Sequence, residues 1–293
     1  MVAIDEPRPG ITLSGPAGPP SHYEALDFIH VHLLPRTYVE IGVNRGRSLA
    51  LALPGTRAVG VDPKPWLRHP ISRSTTVFPL ASDAFFELVD LSQALGGSVD
   101  VAFIDGMHLF EFALRDFANL ERVCTEDSVV VLHDCLPSDT AVAARTWAKG
   151  WTGDVWKLVI CLRKYRPDLE ITVVDVPESG LGIVRGLDPR STVLNDRRDE
   201  VLRELLPLDV DSLPGGLEGT LNPVPGDWAT LRSVLPARPY RRRSRRLLRA
   251  GRFMRHAVAK KLARRVRGRD AADARLRARI EELGTQPEDP RRG

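Results

Sequence analysis

Short runs rich in Val and Ile recur along the chain, each followed by a stretch with helical spacing, and this alternation restricts the fold more than any other feature. The strand-like runs are Thr37–Ile41, Arg57–Val61, 76–79, 99–104 and 128–132, with helical periodicity at 22–34, 47–53, 84–95, 109–124 and Trp156–Tyr165. Nearly continuous apolar runs of this length mark parallel strands buried on both faces, with helices as the crossovers. Two further runs, 169–176 and 181–184, are separated only by Pro177-Glu178-Ser179-Gly180. A parallel pair needs a longer crossover, so these two must be antiparallel. The expected fold is therefore α/β, a doubly wound and mostly parallel sheet that ends in an antiparallel hairpin. Ligands of such sheets bind beyond the carboxyl ends of the strands.

Charge divides the chain. Of 42 Lys and Arg residues, 14 fall in 241–269, where there is no Asp or Glu, leaving 28 basic against 38 acidic groups elsewhere. The net charge of +4 thus describes the C-terminal part, and the acidic remainder argues against reading the whole chain as a nucleic-acid binder. Four regions follow: a flexible Pro/Gly-rich arm at 1–20, a sheet domain at 21–190, a Pro/Gly-rich linker at 191–239 and a basic helical tail at 240–293. In the tail, apolar residues such as Leu247, Phe253, Val258 and Leu262 stand at roughly helical spacing among the cations. Such a helix suits an anionic membrane surface or an acidic partner, including a second copy in a homodimer. Nucleic acid is disfavoured, because no aromatic residues interleave for base stacking. Cys124, Cys135 and Cys161 form neither a disulfide framework nor a zinc pattern. With no secretory signal and no apolar run of membrane-spanning length, the expected location is cytoplasmic, peripheral at a membrane if the tail binds one.

Two groups of residues carry chemistry. In the first, Glu40-Ile41-Gly42-Val43-Asn44-Arg45-Gly46-Arg47-Ser48 ends one strand and opens a helix. Gly42 and Gly46 allow a sharp turn and close approach to a ligand, and Ser48 supports the helix start. The spacing is not that of the dinucleotide fingerprint. Asp62, at the tip of the next strand, is placed to accept both hydroxyls of a ribose. After the third strand, Ser82 and Asp83 offer short polar side chains to an adenine amino group. Together these residues point to an adenosine-type ligand.

The second group sits at two neighbouring strand ends, with Asp105 and His108 after one and His133 and Asp134 closing the next. Consecutive βαβ strands usually lie side by side, so the four should converge. Two carboxylates with imidazoles suit a divalent cation, Mg²⁺ or Mn²⁺ on Asp105 and Asp134. They suit equally a metal-free site in which His108 or His133 is a general base, or a purely structural cluster. His22, His30, His32, His69 and His256 have no such company.

These segments, with FIDGMH and VVVLHDC as the most telling, resemble class I S-adenosylmethionine-dependent methyltransferases over residues 22–188, in a branch distantly similar to the metal-dependent O-methyltransferases. The resemblance implies a seven-stranded Rossmann-like sheet. It also implies that Glu40, Gly42 and Gly46 surround the methionine part of S-adenosylmethionine, with Asp62 at the ribose and Asp83 by the adenine. Asp105 and Asp134 match two metal-binding aspartates, and Cys135 stands where that family has Asn. The implied activity is O-methylation of a hydroxylated small molecule or sugar. Two other readings stay open: a metal-dependent oxygenase or hydrolase on the same scaffold, and a cofactor-binding scaffold that recruits partners through its tail.

Overall fold

A computed structural model of the chain describes residues 18–19, 21–237 and 240. Most of the N-terminal arm and nearly all of the basic tail expected from the sequence lie outside these residues.

Helix α1 (His22–Leu33) begins at Ser21, whose hydroxyl accepts the Tyr23 N–H, and ends where Leu34 turns left-handed before Pro35. The sheet strands are β1 (Thr37–Ile41), β2 (Arg57–Val61), β3 (Thr75–Phe78), β4 (Val101–Ile104), β5 (Val129–His133), β6 (Glu170–Asp175), β7 (Leu181–Arg185) and β8 (Val224–Pro225). Their order is β3-β2-β1-β4-β5-β7-β6-β8. Strands β1 to β5 are parallel, and β7 runs antiparallel to both β5 and β6. The chain order reverses between β1 and β4, the position where open sheets of this kind hold their ligands.

Every residue of β1, β4 and β5 is buried, because both faces of the sheet are covered. On one face, Tyr38, Phe103, Val131 and Ile183 pack with Leu26 and Ile29 of α1. On the other, Val39, Ala102, Val130 and Val184 pack beneath α2 (Ser82–Leu88), α3 (Leu91–Leu95), α4 (Phe110–Glu121) and α5 (Trp156–Tyr165). Among the described residues no helix is long and apolar enough to cross a membrane.

The structure departs from the sequence expectations in four places. The helix expected over 47–53 is a single 3-10 turn, Leu49–Leu51, since Gly46 turns left-handed before it and Pro54-Gly55 follows. The helix expected over 84–95 is two, because Asp90 accepts the Gln93 N–H and caps α3 separately, leaving Val89 extended. The sheet has eight strands rather than seven, β8 adding in parallel to the outer edge of β6.

The fourth departure is the linker expected over 191–239, which is instead a packed helical layer. It contains α6 (Val193–Asp196), α7 (Arg198–Leu205), α8 (Gly216–Leu221) and α9 (Trp228–Val234). Its Pro and Gly residues mark turns between short helices, while Leu194, Val201, Leu205, Leu221 and Leu231 are buried against the sheet layers. Val201→Ala is therefore expected to cost about 1.5–3 kcal/mol in denaturant unfolding. A linker residue would change stability by less than about 0.5 kcal/mol.

Candidate active site

Strand register brings the expected residues to one edge. Ile41 pairs with Val61 on one side and Ile104 on the other, Val61 with Phe78, and Ile104 with Leu132. Gly42, Asp62, Asp105 and His133 therefore emerge together beyond the strand ends.

The loop after β1 is held from within the protein. Gly42 sits at φ +91°, and a Cβ there would come within 1.9 Å of the Asp105 carbonyl oxygen, so only glycine fits. Asp62 accepts backbone N–H groups from Val43 at 3.1 Å, Asn44 at 2.7 Å and Lys64 at 2.7 Å, which pins the loop to the tip of β2. Glu40 is wholly buried and accepts from the Tyr38 hydroxyl at 2.7 Å and the Ser48 hydroxyl at 2.8 Å. Burial pushes its pKa up to about 8, against those two hydrogen bonds. Glu40 thus anchors the loop from below. Asp83 is held by Arg115 through two bonds of 2.9 and 2.7 Å.

The second group converges as expected. His108 lies between two carboxylates, its Nε2 2.9 Å from Asp105 Oδ1 and its Nδ1 2.5 Å from Asp134 Oδ2. His133 Nδ1 is 3.1 Å from Asp105 Oδ1 and 3.2 Å from Asp134 Oδ1. Ser179, from the turn between β6 and β7, donates to Asp134 Oδ1 at 2.7 Å and lies 3.3 Å from His133 Nε2. Burial opposes charge on Asp105, Asp134 and His133, but the mutual attraction of carboxylates and imidazoles outweighs it. Asp105 and Asp134 are held well below the usual carboxylate range, and His133 well above the usual histidine value.

Two members of the cluster have unusual backbone. His108 at φ 59° and Asp134 at φ 58° are left-handed without being glycine. The surroundings enforce this. Gly153 passes so close to His108 that a Cβ on it would meet the His108 carbonyl oxygen at 1.7 Å, and the Asp154 N–H donates to that same oxygen at 3.1 Å. Trp151 lies nearly parallel to the His108 ring at 5.8 Å, and Asp154 caps α4 by accepting the Phe110 N–H at 2.7 Å.

A small cavity with room for about one water molecule is lined by Asp105, His108, His133 and Asp134 together with Gly106, Met107 and Asp116. Glu40, Asp62 and Asp83 do not line it. The five acids at the strand tips thus share an edge but not one crevice, because three of them are spent on loop and ion-pair contacts.

The sequence reading passed over two residues that the fold brings to this cluster. His22 is buried with its ring 4.2 Å from that of His133, and burial together with the His133 charge lowers its pKa to about 4. Asp116 is an acid among the apolar positions of α4, beside Ala113 and Phe117. That misplaced charge was the one sequence signal for it. For a cation, one donor atom each from Asp105, His108 and Asp134 lies within 4.8 Å of the others. The Cys135 sulfur faces the core against Gly182 and donates to the carbonyls of Leu132 and His133, so it is not a fourth donor.

Residues 39–135 match a family model described as a methyltransferase domain. Among solved structures, the chain is similar to cofactor-bound Rv0187 from MTB at 16% identity, covering 56% of this chain and 79% of that one, with a TM-score of 0.47. It is also similar to a putative O-methyltransferase from Klebsiella pneumoniae (12% identity, 57% and 80% covered, TM-score 0.45) and to the O-methyltransferase from Bacillus cereus in complex with SAH (16%, 58% and 84%, 0.42). No curated protein matches the chain. The family match begins in β1 and ends just past β5, spanning the glycine turn, the order reversal and the carboxylate–imidazole cluster, so the part of the chain that is similar to a methyltransferase domain is the part that holds the candidate site.

Proposed function

We propose that the chain methylates a hydroxyl group of a small molecule or sugar. The observation that carries this reading is the cluster of Asp105, His108, His133 and Asp134 around a cavity at the ends of β4 and β5, next to the sheet's order reversal between β1 and β4. S-adenosylmethionine supplies an electrophilic methyl on its sulfonium, so the protein has to position an acceptor and remove its proton.

The residues around the reversal fit that cofactor. Gly42 and Gly46 bring backbone to the ligand side of the loop, Glu40 and Ser48 brace that loop, and Asp62 holds it at the ribose position. Ser82 and Asp83 stand at the adenine end. On the acceptor side, Asp105 is the member of the cluster with the most open side chain, at 24%, and it orients the incoming hydroxyl with Asp134 behind it. Of the two imidazoles, His108 has both ring nitrogens engaged by carboxylates. His133 Nε2 makes only a long 3.3 Å contact with Ser179. His133 is therefore the base, and it acts from its neutral form.

The donor geometry of Asp105, His108 and Asp134 favours a second reading, in which they hold a divalent cation that lowers the pKa of a coordinated hydroxyl. Calorimetry with S-adenosylmethionine and S-adenosylhomocysteine, then turnover against phenolic, catecholic and sugar hydroxyls, tests the proposal. Micromolar binding and acceptor-dependent formation of S-adenosylhomocysteine are expected. No binding of either compound would overturn it. Turnover that survives EDTA selects the His133 mechanism, and turnover lost to EDTA and restored by Mn²⁺ or Mg²⁺ selects the cation.

A further inference from the structure

The loops that follow β1 and β2 stand at the same sheet edge as the candidate site, and together they form a surface that its chemistry does not use. Trp66 and Leu67, in the loop after β2, are 54% and 40% exposed. The Trp66 N–H donates to the Asn44 carbonyl and the Arg68 N–H to the Arg45 carbonyl, both at 2.9 Å, which lays this loop along the one after β1. Leu67 lies across Gly46, where an added Cβ would meet its side chain at 2.8 Å. Adjacent exposed apolar side chains rimmed by charge mark an interaction surface, unlike apolar residues scattered singly.

The rim is cationic. Residues 44–73 contain six Lys and Arg and one acid, Asp62, which is buried and accepts three backbone N–H groups. Arg68 and Arg45 lie over Trp66 at 3.6 and 5.6 Å from the ring centre, and Arg47 lies over Tyr23 of α1 at 3.8 Å. Arg45, Arg47, Arg68 and Arg73 are exposed, and among the described residues none of them has a carboxylate partner.

We propose that the surface of Trp66, Leu67, Arg45, Arg47 and Arg68 docks on an anionic lipid bilayer. The indole and the leucine enter the boundary between headgroups and acyl chains, which suits Trp because its ring is apolar and its N–H polar. The arginines stay level with the headgroup phosphates, and each adds about fivefold to binding at an anionic surface. Charge alone would also admit a nucleic acid, but that mode needs an aromatic face open to a base, and Arg68 already lies on the Trp66 ring. The sequence supplies a second signal of the same kind in 241–269, where 14 Lys and Arg stand among apolar residues. Stable attachment to a bilayer generally takes two such signals. Docking here brings the edge that carries Gly42, Asp62 and Asp105 to the bilayer, whatever reaction that edge performs.

The test is co-sedimentation of the full chain with vesicles of phosphatidylcholine alone and of phosphatidylcholine with phosphatidylglycerol, at low and high salt. Binding is expected only to the anionic vesicles, and it should weaken with salt. The 241–269 segment has enough cations to bind by itself, so the loop is read from variants. Arg45→Gln with Arg68→Gln should weaken binding about 10- to 30-fold. Trp66→Ala with Leu67→Ala should weaken it about tenfold or more. In the wild type, brominated phosphatidylglycerol should quench the part of the tryptophan fluorescence that Trp66→Phe removes. Unchanged binding by either double variant overturns the proposal. So does a wild type that brominated lipid leaves unquenched, a result that needs no variant to fold. Binding of single-stranded RNA that the same substitutions abolish, without binding to anionic vesicles, overturns it in favour of nucleic acid.

Discussion

Asp105→Asn is expected to lower the rate of methyl transfer by about 10²- to 10⁴-fold while changing S-adenosylhomocysteine affinity only a few-fold. The Asp105 carboxylate faces both His108 and His133, at 2.9 and 3.1 Å. An amide of the same shape removes the charge that orients and holds these two rings. The residues around the expected cofactor, Gly42 and Asp62 among them, keep their contacts, so binding survives.

The pH profile separates a working base from a bystander. His133 is held well above the ordinary histidine value, chiefly by Asp134 and Asp105 acting against burial. Raising the pH therefore favours its neutral form, and the wild-type kcat should rise with pH. Removing the Asp105 charge lowers the His133 pKa, so the variant should reach its lower plateau at a less alkaline pH. A flat wild-type profile between pH 6 and 9, or a variant keeping more than a tenth of the rate, would remove His133 and Asp105 from the mechanism.

The same groups shape the dependence of stability on pH. Asp105 and Asp134 have folded pKa values below their unfolded ones, so their contribution is present above about pH 4 and is lost as the pH falls. The His133 contribution is complete below about pH 6.5 and is lost as the pH rises through its elevated folded value. The cluster therefore stabilises the fold most between about pH 4 and 6.5.

Gly42→Ala should destabilise the protein by about 3–5 kcal/mol and abolish cofactor binding in whatever fraction stays folded. Two costs add. A left-handed backbone at φ +91° strains any residue with a Cβ, and that Cβ would lie 1.9 Å from a backbone oxygen of Asp105 that cannot rotate away. The loop or the end of β4 has to move, and both border the site. Gly216→Ala separates the two costs. Gly216 is also left-handed, at φ +66°, but nothing lies within 4 Å of its missing Cβ, so strain alone should cost about 1 kcal/mol. Equal losses in thermal or denaturant unfolding for the two variants would show that the contact between Gly42 and Asp105 is not tight.

The strands were the most legible part of the sequence. β1 and β2 fall at the expected residues, and the other expected strands shift by at most two positions at an end. Short Val- and Ile-rich runs state their identity locally, because a strand buried on both faces needs apolar side chains at every position. The hairpin of β6 and β7 was equally legible, since four residues cannot make a crossover. The layer built from α6 to α9 was not. Its helices have four to eight residues, too short for a periodic signal and stable only through packing. Their Pro and Gly turns therefore read as a linker.

The site divides along the same line. That Asp105, His108, His133 and Asp134 would meet follows from neighbouring strands ending at the same level, which the order of motifs along the chain already implies. Which acids open onto the cavity does not follow from it. Arg115 takes up Asp83, the loop N–H groups take up Asp62, and Tyr38 with Ser48 takes up Glu40, through partners 2 to 32 positions away. Asp116 and His22 reach the cluster from helices whose rotation is set by packing. The sequence by itself determined the sheet and the edge where its chemistry gathers, because strand pattern and chain order are local and carry no choice of partner. Only the tertiary structure decided which charged groups remain to meet a ligand, because that depends on which of them the folded chain neutralises first.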